Sequence, residues 1–226
     1  MTKRRLHFTY REQQILSVAA VLFADKGYSR TSLQDIGDKI KIRKQSLYHF
    51  FASKEDIYFT ILRKTVLDIV TNVKKISEMK GQPSKILRNI IGYHALQFKQ
   101  NEFPTKVYMR GTKKFLKRTR QNELRNFERE YNEIIQKVIQ DGINVGEFRN
   151  DFDNKVIVFA ISIILSQIGS WYSVKGRLSI NKIANDYATF ILRGLISDIN
   201  GQSSELNNLI NEPNWLGKLD AKLKVR

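Results

Sequence analysis

Hydrophobic residues recur at helical spacing along almost the whole chain, and no run with a period of two predicts a strand. Thr9 and Glu12 form a capping box that predicts the start of the first helix, and Gly27 marks its end. Two short helices, at 32–40 and 44–50, come next. The pattern therefore predicts an all-α chain that opens with three helices.

Longer helices are predicted over the rest of the chain, with few breaks between them. The predicted segments are 53–79, 83–100, one that starts at Phe103, 120–141, 153–174 and 179–197, with short helices near 206–210 and 215–223. Gly142 is expected to stop one of these segments, and we interpret Gly142 and Gly146 as two turn glycines. About nine or ten helices are expected in all.

A compact three-helix unit is predicted within residues 10–50, where two short helices are joined by a turn of three or four residues. Its core would contain the apolar side chains Leu33, Ile36, Ile40, Ile42, Leu47 and Phe50. The exposed side of the third helix would carry the hydrogen-bonding residues Arg43, Lys44, Gln45, Ser46, Tyr48 and His49. A free polar face beside such a core is the arrangement that enters a DNA major groove. Many small helical domains share this spacing.

The chain carries 39 Lys and Arg residues against 22 Asp and Glu, which is a formal charge of +17. The excess lies entirely in the first 125 residues, with a net of +5 in 1–60 and +12 in 61–125. A basic excess of this size indicates a polyanion or an anionic small molecule as partner. The charge of the middle of the chain needs an explanation as much as that of its start.

The sequence contains no motif for catalysis or for metal binding. Its lack of cysteine excludes a disulfide framework, a thiolate nucleophile and a Cys-ligated metal site. There is no Ser-His-Asp grouping at a nucleophile elbow, no Gly-rich phosphate loop and no HExxH. We therefore expect neither an enzyme, nor a metal site, nor a cofactor.

The stretch between Lys155 and Lys175 is uncharged and is the one candidate for a membrane span. It contains Ser162, Ser166 and Gln167, so the sequence favours a buried helix or a dimer interface over a lipid-facing segment. No apolar segment follows the basic N-terminus, so no signal peptide is expected. We expect a cytoplasmic protein that makes no membrane contact.

A series of residues between Ile15 and Asp56 carries a more specific signal than the helical period. It consists of Ile15-Leu16 and Ala19-Ala20, followed by LFADKGY at 22–28, TSLQDI at 31–36, SLYHFF at 46–51 and SKED at 53–56. In residue type and spacing this series resembles the DNA-binding headpiece of TetR-family transcriptional regulators. A looser similarity links residues 142–148 and the Trp171-Tyr172 pair to the C-terminal effector and dimerisation region of the family.

The resemblance implies an all-α protein with a helix-turn-helix DNA-binding domain at 1–52 and a ligand-binding and dimerisation domain at 53–226. It also implies a homodimeric transcriptional regulator, most simply a repressor, that binds a pseudo-palindromic operator in double-stranded DNA. A small-molecule effector would release the DNA. The predicted helices at 153–174 and 179–197 would form a four-helix interface with those of the second subunit.

Four residues are expected to contact DNA phosphates if the resemblance holds. Thr31 and Ser32, at the start of the second helix, would bind a phosphate through hydroxyl and backbone N–H groups. Tyr48 would donate a hydrogen bond to another phosphate, and Lys54 would pair with a third. For Tyr48 a place at the edge of the core is the alternative.

The resemblance places a second group of residues at the base edges. These are Arg43, Lys44, Gln45 and Ser46, of which Arg and Lys favour guanine and Gln favours adenine. His49 is expected either on this face or in solvent. The basic run at 3–5 is expected either as an arm along the DNA or as a solvated tail.

Three residues depart from the family pattern. Lys41 replaces a turn glycine, which predicts a left-handed backbone at a non-glycine residue. Arg43 replaces a small hydroxyl cap of the third helix, and Gly37 replaces an alanine at a cost of about 1 kcal/mol in helix propensity.

The family also implies a ligand pocket within residues 60–175, where aromatic residues are concentrated. The residues predicted to line it are Tyr93, Phe98, Tyr108, Arg110, Phe127 and Trp171. A place in the core is the alternative for each aromatic residue, and His94 is expected to be a satisfied polar contact. The basic segment 99–125 is either a solvated face that attracts DNA or a mouth for an anionic ligand with an apolar tail, such as an acyl-CoA.

Two functions of other classes remain open. An architectural DNA-binding protein would bind without sequence preference and with a steep salt dependence. An acyl-CoA-binding protein would contact DNA only incidentally. Selective binding of one DNA sequence at physiological salt distinguishes a regulator from both.

Overall fold

A computed structural model describes residues 3–111, 113–173, 176–196, 207–209 and 211–224, and for residues 3–9 and 110 it describes the backbone alone. Within these ranges the chain forms eleven α-helices and no strand. The helices are α1 (Lys3–Lys26), α2 (Leu33–Ile40), α3 (Lys44–Leu47), α4 (Lys54–Ser77), α5 (Pro83–Gln100), α6 (Glu102–Arg110), α7 (Arg118–Asn144), α8 (Asn154–Ser166), α9 (Ile168–Trp171), α10 (Ile180–Leu195) and α11 (Trp215–Lys224). A 3-10 turn, Lys113–Phe115, lies between α6 and α7. The all-α expectation is confirmed.

The chain divides into two compact units. Unit 1 comprises residues 1–67 and 101–126, and unit 2 comprises 68–100 and 127–226. The boundary predicted at residue 52 separates the helix-turn-helix from the rest of the sequence, whereas the contacts group that motif with the start of α4, with α6 and with the start of α7.

Unit 1 is built around α1, which packs against α2 and α6, while α2 packs against α3. Apolar side chains from four helices are fully buried at its centre: Ile15, Ala19, Ile36, Leu47 and Ile57. Phe50, which was expected in the core, is only half-buried. Its neighbour Phe51 is buried in its place. The reason is that α3 ends at Leu47 and continues as a tight turn, in which Tyr48, His49 and Phe50 each donate to the carbonyl three residues earlier.

Unit 2 is organised around α5, which contacts α8, α9, α10 and α11. Almost every side chain from Leu87 to Phe98 is buried, because α5 is surrounded by other helices rather than lying at the surface. Other fully buried members of this core are Ile135, Leu165, Ile168, Ala184 and Leu192. Asp153 and Ser179 cap α8 and α10 by accepting hydrogen bonds from Val156 and Lys182.

Several predicted boundaries are wrong. The first helix begins at Lys3, so Thr9 lies inside it and is not its cap. The helix expected over 153–174 is interrupted at Gln167, which separates α8 from α9. α7 continues through Gly142 to Asn144, and a Cβ at Gly142 would overlap the ring of Phe148. Gly142 therefore allows close packing, whereas Gly146, with φ of 76°, is the turn glycine.

Unit 2 carries an exposed apolar surface on α8 and α10. Val156, Phe159 and Ile163 share one side of α8, since they are three or four residues apart, and they are 63%, 47% and 60% exposed. Phe190 on α10 is 70% exposed, and Trp171 at the end of α9 is 48% exposed. Residues 154–171 are long and apolar enough to cross a membrane, by length and composition alone, and little of this stretch is buried.

Candidate functional site

The candidate site is the polar face of α3 together with the turn that precedes it. α2 ends at Lys41, whose backbone is left-handed, with φ of 58° and ψ of 45°, as the sequence predicted. The Ile42 N–H then donates to the Gly37 carbonyl at 3.0 Å, which closes the turn. Arg43 is the N-cap of α3 and makes no side-chain capping bond. The turn thus presents Arg43 and the first residues of α3 together.

The residues predicted to reach bases lie on an exposed surface. Arg43, Lys44 and Gln45 are exposed and Ser46 is half-buried, whereas Leu47 is fully buried and anchors the helix. Tyr48 is 50% exposed, which favours a surface position over the edge of the core. His49 is exposed as well.

These side chains are free to accept a partner. Among the residues that the structure describes, none of Arg43, Lys44, Gln45, Tyr48 and His49 has a side-chain hydrogen bond or ion pair within the chain. Two cations, an amide, a phenol and an imidazole in this position match the chemistry of base edges and phosphates.

Thr31 does not fit its predicted contact with a phosphate. Its side chain is only 1% exposed, and its hydroxyl lies 2.9 Å from the Gly27 carbonyl oxygen and 3.3 Å from that of Leu22. Its N–H donates to the Tyr28 carbonyl. Both donors are therefore used within the fold, and Thr31 ties the α1–α2 connection to the end of α1.

Ser32 lies at the N-cap of α2, as expected, but its N–H and its hydroxyl are already hydrogen-bonded to Asp35. The Ser32 hydroxyl accepts from the Asp35 N–H at 3.0 Å, and the Ser32 N–H donates to the Asp35 carboxylate at 2.7 Å. These hydrogen bonds hold the pKa of Asp35 below its usual value. A phosphate at the start of α2 would be repelled by the Asp35 carboxylate and would compete with it for the Ser32 N–H.

Lys54 also has partners inside unit 1. Its ammonium donates to the carbonyl oxygens of Tyr28, at 2.9 Å, and Thr31, at 2.7 Å. It also lies 4.3 Å from the centre of the Tyr28 ring. Burial lowers the pKa of Lys54, against a smaller opposing effect of Asp35. Lys54 clamps the α1–α2 connection, and a phosphate would compete for its remaining donor.

Part of the basic segment 99–125 is neutralised within unit 1. Arg120 forms ion pairs with Glu55 and Asp56, and Lys106 pairs with Glu102 at 2.6 Å. The pairing with Arg120, together with bonds from Ser53, keeps the pKa of Asp56 low despite the opposing effect of its burial. Lys99, Lys117, Arg118 and Arg125 are exposed.

The residues predicted to line an effector pocket are not brought together within one unit. Tyr108 and Arg110 belong to unit 1. In unit 2, Phe98 is fully buried against Gly169, and the hydroxyl of buried Tyr93 donates to the Asp68 carboxylate at 3.0 Å. Phe127 is half-buried in unit 2. Trp171, at the end of α9, is 48% exposed, and its ring lies 6.3 Å from that of Tyr187.

His94 is a buried imidazole in unit 2. Its Nε2 lies 2.9 Å from the Tyr131 hydroxyl, and its Nδ1 is buried without a partner among the described residues. Burial lowers the pKa of His94 to about 4, so the ring is neutral. The expectation of a satisfied polar contact is therefore correct for one ring nitrogen and wrong for the other.

Arg88, which the sequence analysis did not single out, is 2% exposed in α5. Its guanidinium donates to the Leu209 carbonyl, forms an ion pair with Glu212 at 2.6 Å and stacks over Trp215. The ion pair lowers the pKa of Glu212 to about 2. A basic residue among the apolar positions of a helix is the signal that points to such a buried cation.

Two family models match the chain. Residues 15–61 match the model described as bacterial regulatory proteins, tetR family. Residues 80–195 match the model described as tetracyclin repressor-like, C-terminal domain. Together they cover the helix-turn-helix and α5 to α10.

Similar proteins and structures agree with these models. The HTH-type transcriptional repressor KstR2 of Rhodococcus jostii is 27% identical over 192 residues, which are 84% of this chain and 93% of that protein. The structure of the ketosteroid transcriptional regulator KstR2 of Mycobacterium tuberculosis has a TM-score of 0.78 at 23% identity, covering 83% of this chain and 96% of that one.

A third similar structure was solved with ligands. AibR, in complex with isovaleryl coenzyme A and operator DNA, has a TM-score of 0.73 at 22% identity, and the match covers 80% of this chain and 97% of that one. At this identity the likeness concerns the fold.

Proposed function

We propose a repressor function for this chain, which belongs to the TetR family of bacterial regulatory proteins. It is a helix-turn-helix, DNA-binding regulator of transcription, and members of the family are not enzymes. In our proposal it binds a pseudo-palindromic operator as a homodimer in the cytoplasm and releases that operator when a small molecule binds.

The observation that carries the proposal is the unpaired polar face of α3. Arg43, Lys44 and Gln45 are exposed on a helix that buried Leu47 holds in place, and the described chain provides them with no partner. Tyr48, beside them, is the donor we propose for a phosphate. We drop Thr31 from the proposed contacts because its hydroxyl is turned inward.

Dimerisation is supported by the apolar side of α8. Val156, Phe159 and Ile163 are each about half exposed or more, and Phe190 of α10 is the most exposed large apolar side chain described in unit 2. Three exposed apolar side chains that are neighbours on one side of a helix, as on α8, are typical of an interface. A second copy of the chain is the occupant that family membership favours, and two copies also match the symmetry of a palindromic operator.

An acyl-CoA is the effector that we propose to test first. Its support is the similarity to AibR, which was solved with isovaleryl coenzyme A, and the basic charge of residues 61–125. Release requires only that the ligand bind one of two conformations more tightly than the other. The ion pairs of Lys106 and Arg120 favour a structural role for part of that charge.

The test is selection of bound fragments from a genomic DNA library at near-physiological salt, followed by fluorescence anisotropy on the enriched sequence. We expect one enriched sequence with two-fold symmetry, and at least about fivefold weaker binding by Lys44→Ala, since a specific base contact contributes about 1–3 kcal/mol. Lys137→Ala, which removes an 80% exposed cation from α7, is the control and should bind normally.

Enrichment of no sequence, with equal binding to scrambled DNA, would instead support an architectural protein. The effector is tested separately, by adding isovaleryl-CoA and a long-chain acyl-CoA to the complex with DNA. If neither releases the DNA, the regulator stands and the acyl-CoA proposal fails. If the protein binds acyl-CoA but selects no DNA, incidental DNA binding is the correct interpretation.

A further inference from the structure

Unit 1 contains a cavity that the proposed function does not use. It lies among the end of α1, the α1–α2 connection, Tyr58 of α4, α6 and the 3-10 turn. Its volume is about 380 Å³. This lies within the range of sites that bind small molecules.

Four of the twelve described residues that line the cavity are aromatic: Phe23, Tyr28, Tyr58 and Phe115. The ring of Tyr28 lies 4.7 Å from that of Phe115 in a stacked arrangement and 4.6 Å from that of Tyr58, and Phe23 meets Tyr58 edge to face at 5.5 Å. Phe23 and Tyr58 are buried, whereas Tyr28 and Phe115 are half-buried. A wall of packed rings that is partly open favours a planar aromatic ligand over a flexible aliphatic one.

The charged residues of the wall that the structure describes are all basic. Among the described lining residues, Lys26, Arg30 and Lys106 carry a charge and none is acidic. Glu102 neutralises Lys106 at 2.6 Å, whereas the Asp35 carboxylate is 4.0 Å from the Lys26 ammonium. Arg30 uses its Nε to bond the Lys26 carbonyl, and its terminal nitrogens have no partner among the described residues. Lys26 and Arg30 are thus available to an anion.

We propose that this cavity binds an aromatic carboxylate or a similar planar organic anion. The ring would pack beside the stacked pair of Tyr28 and Phe115, and the anionic group would bind the side chains of Lys26 and Arg30. This is a second ligand site, within the unit that contains the helix-turn-helix.

Binding here would act directly on the elements that present α3. Residues 27–30 form both the cavity wall and the α1–α2 connection, and they lead into the capping box of α2. Lys54 holds the same connection through the carbonyls of Tyr28 and Thr31. A ligand that shifts Tyr28 would change this clamp and, with it, the affinity for DNA. This consequence rests on the proposed function, but the site does not.

The test is isothermal titration of the full-length protein with 2-naphthoate, with its neutral analogue 2-naphthalenemethanol and with the cationic 2-naphthylmethylammonium. We expect 2-naphthoate to bind more tightly than the other two. Lys26→Gln should weaken 2-naphthoate by at least about threefold and Lys26→Gln with Arg30→Gln by about tenfold, because a charge-assisted contact is lost each time. Filling the cavity with Ala24→Phe should abolish binding.

Lys64→Gln is the matched control. Lys64 is 57% exposed, and its ammonium lies 3.8 Å from the Glu12 carboxylate. Lys26 is similar, since it is 53% exposed and its ammonium lies 4.0 Å from the Asp35 carboxylate. Lys64, however, does not line the cavity. Its removal should leave the affinity unchanged. Since both lysines are exposed, neither change threatens folding, which circular dichroism would verify.

Three results would overturn the proposal. They are equal 2-naphthoate affinity in wild type, Lys26→Gln and the double variant, equal affinity for the neutral analogue, and no binding of 2-naphthoate at all. None of these readouts involves DNA, so failure of this site and failure of the repressor proposal are distinguishable.

Discussion

Gly37 of α2 lies against the carbonyl oxygen of Ile42, and a Cβ built on Gly37 would be 2.7 Å from that oxygen. The two residues are also joined by the hydrogen bond from the Ile42 N–H to the Gly37 carbonyl. The backbone that leads to α3 therefore passes directly over α2 at a point where only glycine leaves room.

Gly37→Ala should lower the free energy of unfolding. Alanine gains about 1 kcal/mol in helix propensity, but the backbone contact has to open, and overpacking of this kind costs about 1–3 kcal/mol. Gly194→Ala is the control, because nothing lies within 4 Å of a Cβ there and the same propensity gain should appear alone. Urea unfolding measures both. A gain in stability for both variants would contradict the contact.

Lys41→Gly should stabilise the protein by up to about 1 kcal/mol. A left-handed backbone costs a residue with a Cβ about 1–2 kcal/mol, and glycine avoids that cost. Part of the gain is lost because glycine gives the unfolded chain more conformational entropy. Lys39→Gly removes the same charge from within α2 and should destabilise by about 1 kcal/mol. The midpoints of thermal unfolding test the pair. If both variants shifted the unfolding midpoint equally and in the same direction, the loss of a positive charge, and not the backbone conformation, would explain the change in stability.

Arg43→Ser should separate stability from DNA binding. A serine at the N-cap of α3 would supply the capping bond that Arg43 lacks, which contributes about 1 kcal/mol. Loss of the cation should weaken operator binding. Unfolding and anisotropy measurements on the same sample are expected to move in opposite directions, and a variant with unchanged DNA affinity would remove Arg43 from the interface.

The buried imidazole of His94 should make the protein less stable in mild acid. Its pKa is lowered from 6.5 to about 4 in the folded state, so between these values the unfolded chain binds a proton that the native one does not. The stability contribution is complete above pH 6.5 and is lost as the pH falls toward 4, by roughly 3 kcal/mol. Urea midpoints measured against pH report this loss.

His94→Gln should flatten that acid slope, although it also changes the contact with Tyr131 and so shifts the absolute stability. His49→Gln, which replaces an exposed histidine, should leave the slope as it is. An unchanged slope in His94→Gln would show that other groups cause the acid sensitivity.

Val156→Asp should convert the proposed dimer to a monomer. Val156 is 63% exposed on the apolar side of α8, and in the proposed dimer a carboxylate there would be buried against the second subunit. Val145, which is 64% exposed in the turn after α7, provides a matched control, since Val145→Asp should remain dimeric. Sedimentation velocity distinguishes the species. A wild-type monomer would contradict the proposed interface directly.

The sequence predicted the features that depend on neighbouring residues. The Ser53 hydroxyl caps α4 at 3.0 Å from the Asp56 nitrogen, and Lys41 is left-handed because the turn requires it. Helical spacing located α2, α4, α5 and α10 to within a few residues. The helix-turn-helix is predictable as well, because it is a local motif whose residue types stand at fixed spacing.

Features that depend on distant partners were missed. Gly142 looked like a stop signal, because the ring of Phe148 that packs against it cannot be inferred from spacing. Thr31 and Lys54 have the residue types expected for phosphate contacts, but the fold directs them to its own carbonyls. Aromatic residues such as Phe98 and Trp171 were grouped by composition, which does not distinguish a core from a surface.

The attachment of α11 to α5 limits how this protein can be shortened or recombined. The C-terminal family match ends at residue 195, yet Arg88 and Gly92 face α11 beyond it, with a Cβ on Gly92 only 2.5 Å from the Trp215 ring. A chain cut at the family boundary would leave a buried guanidinium beside an empty groove. A chimera with a relative would therefore need α5 and the C-terminal segment from the same parent.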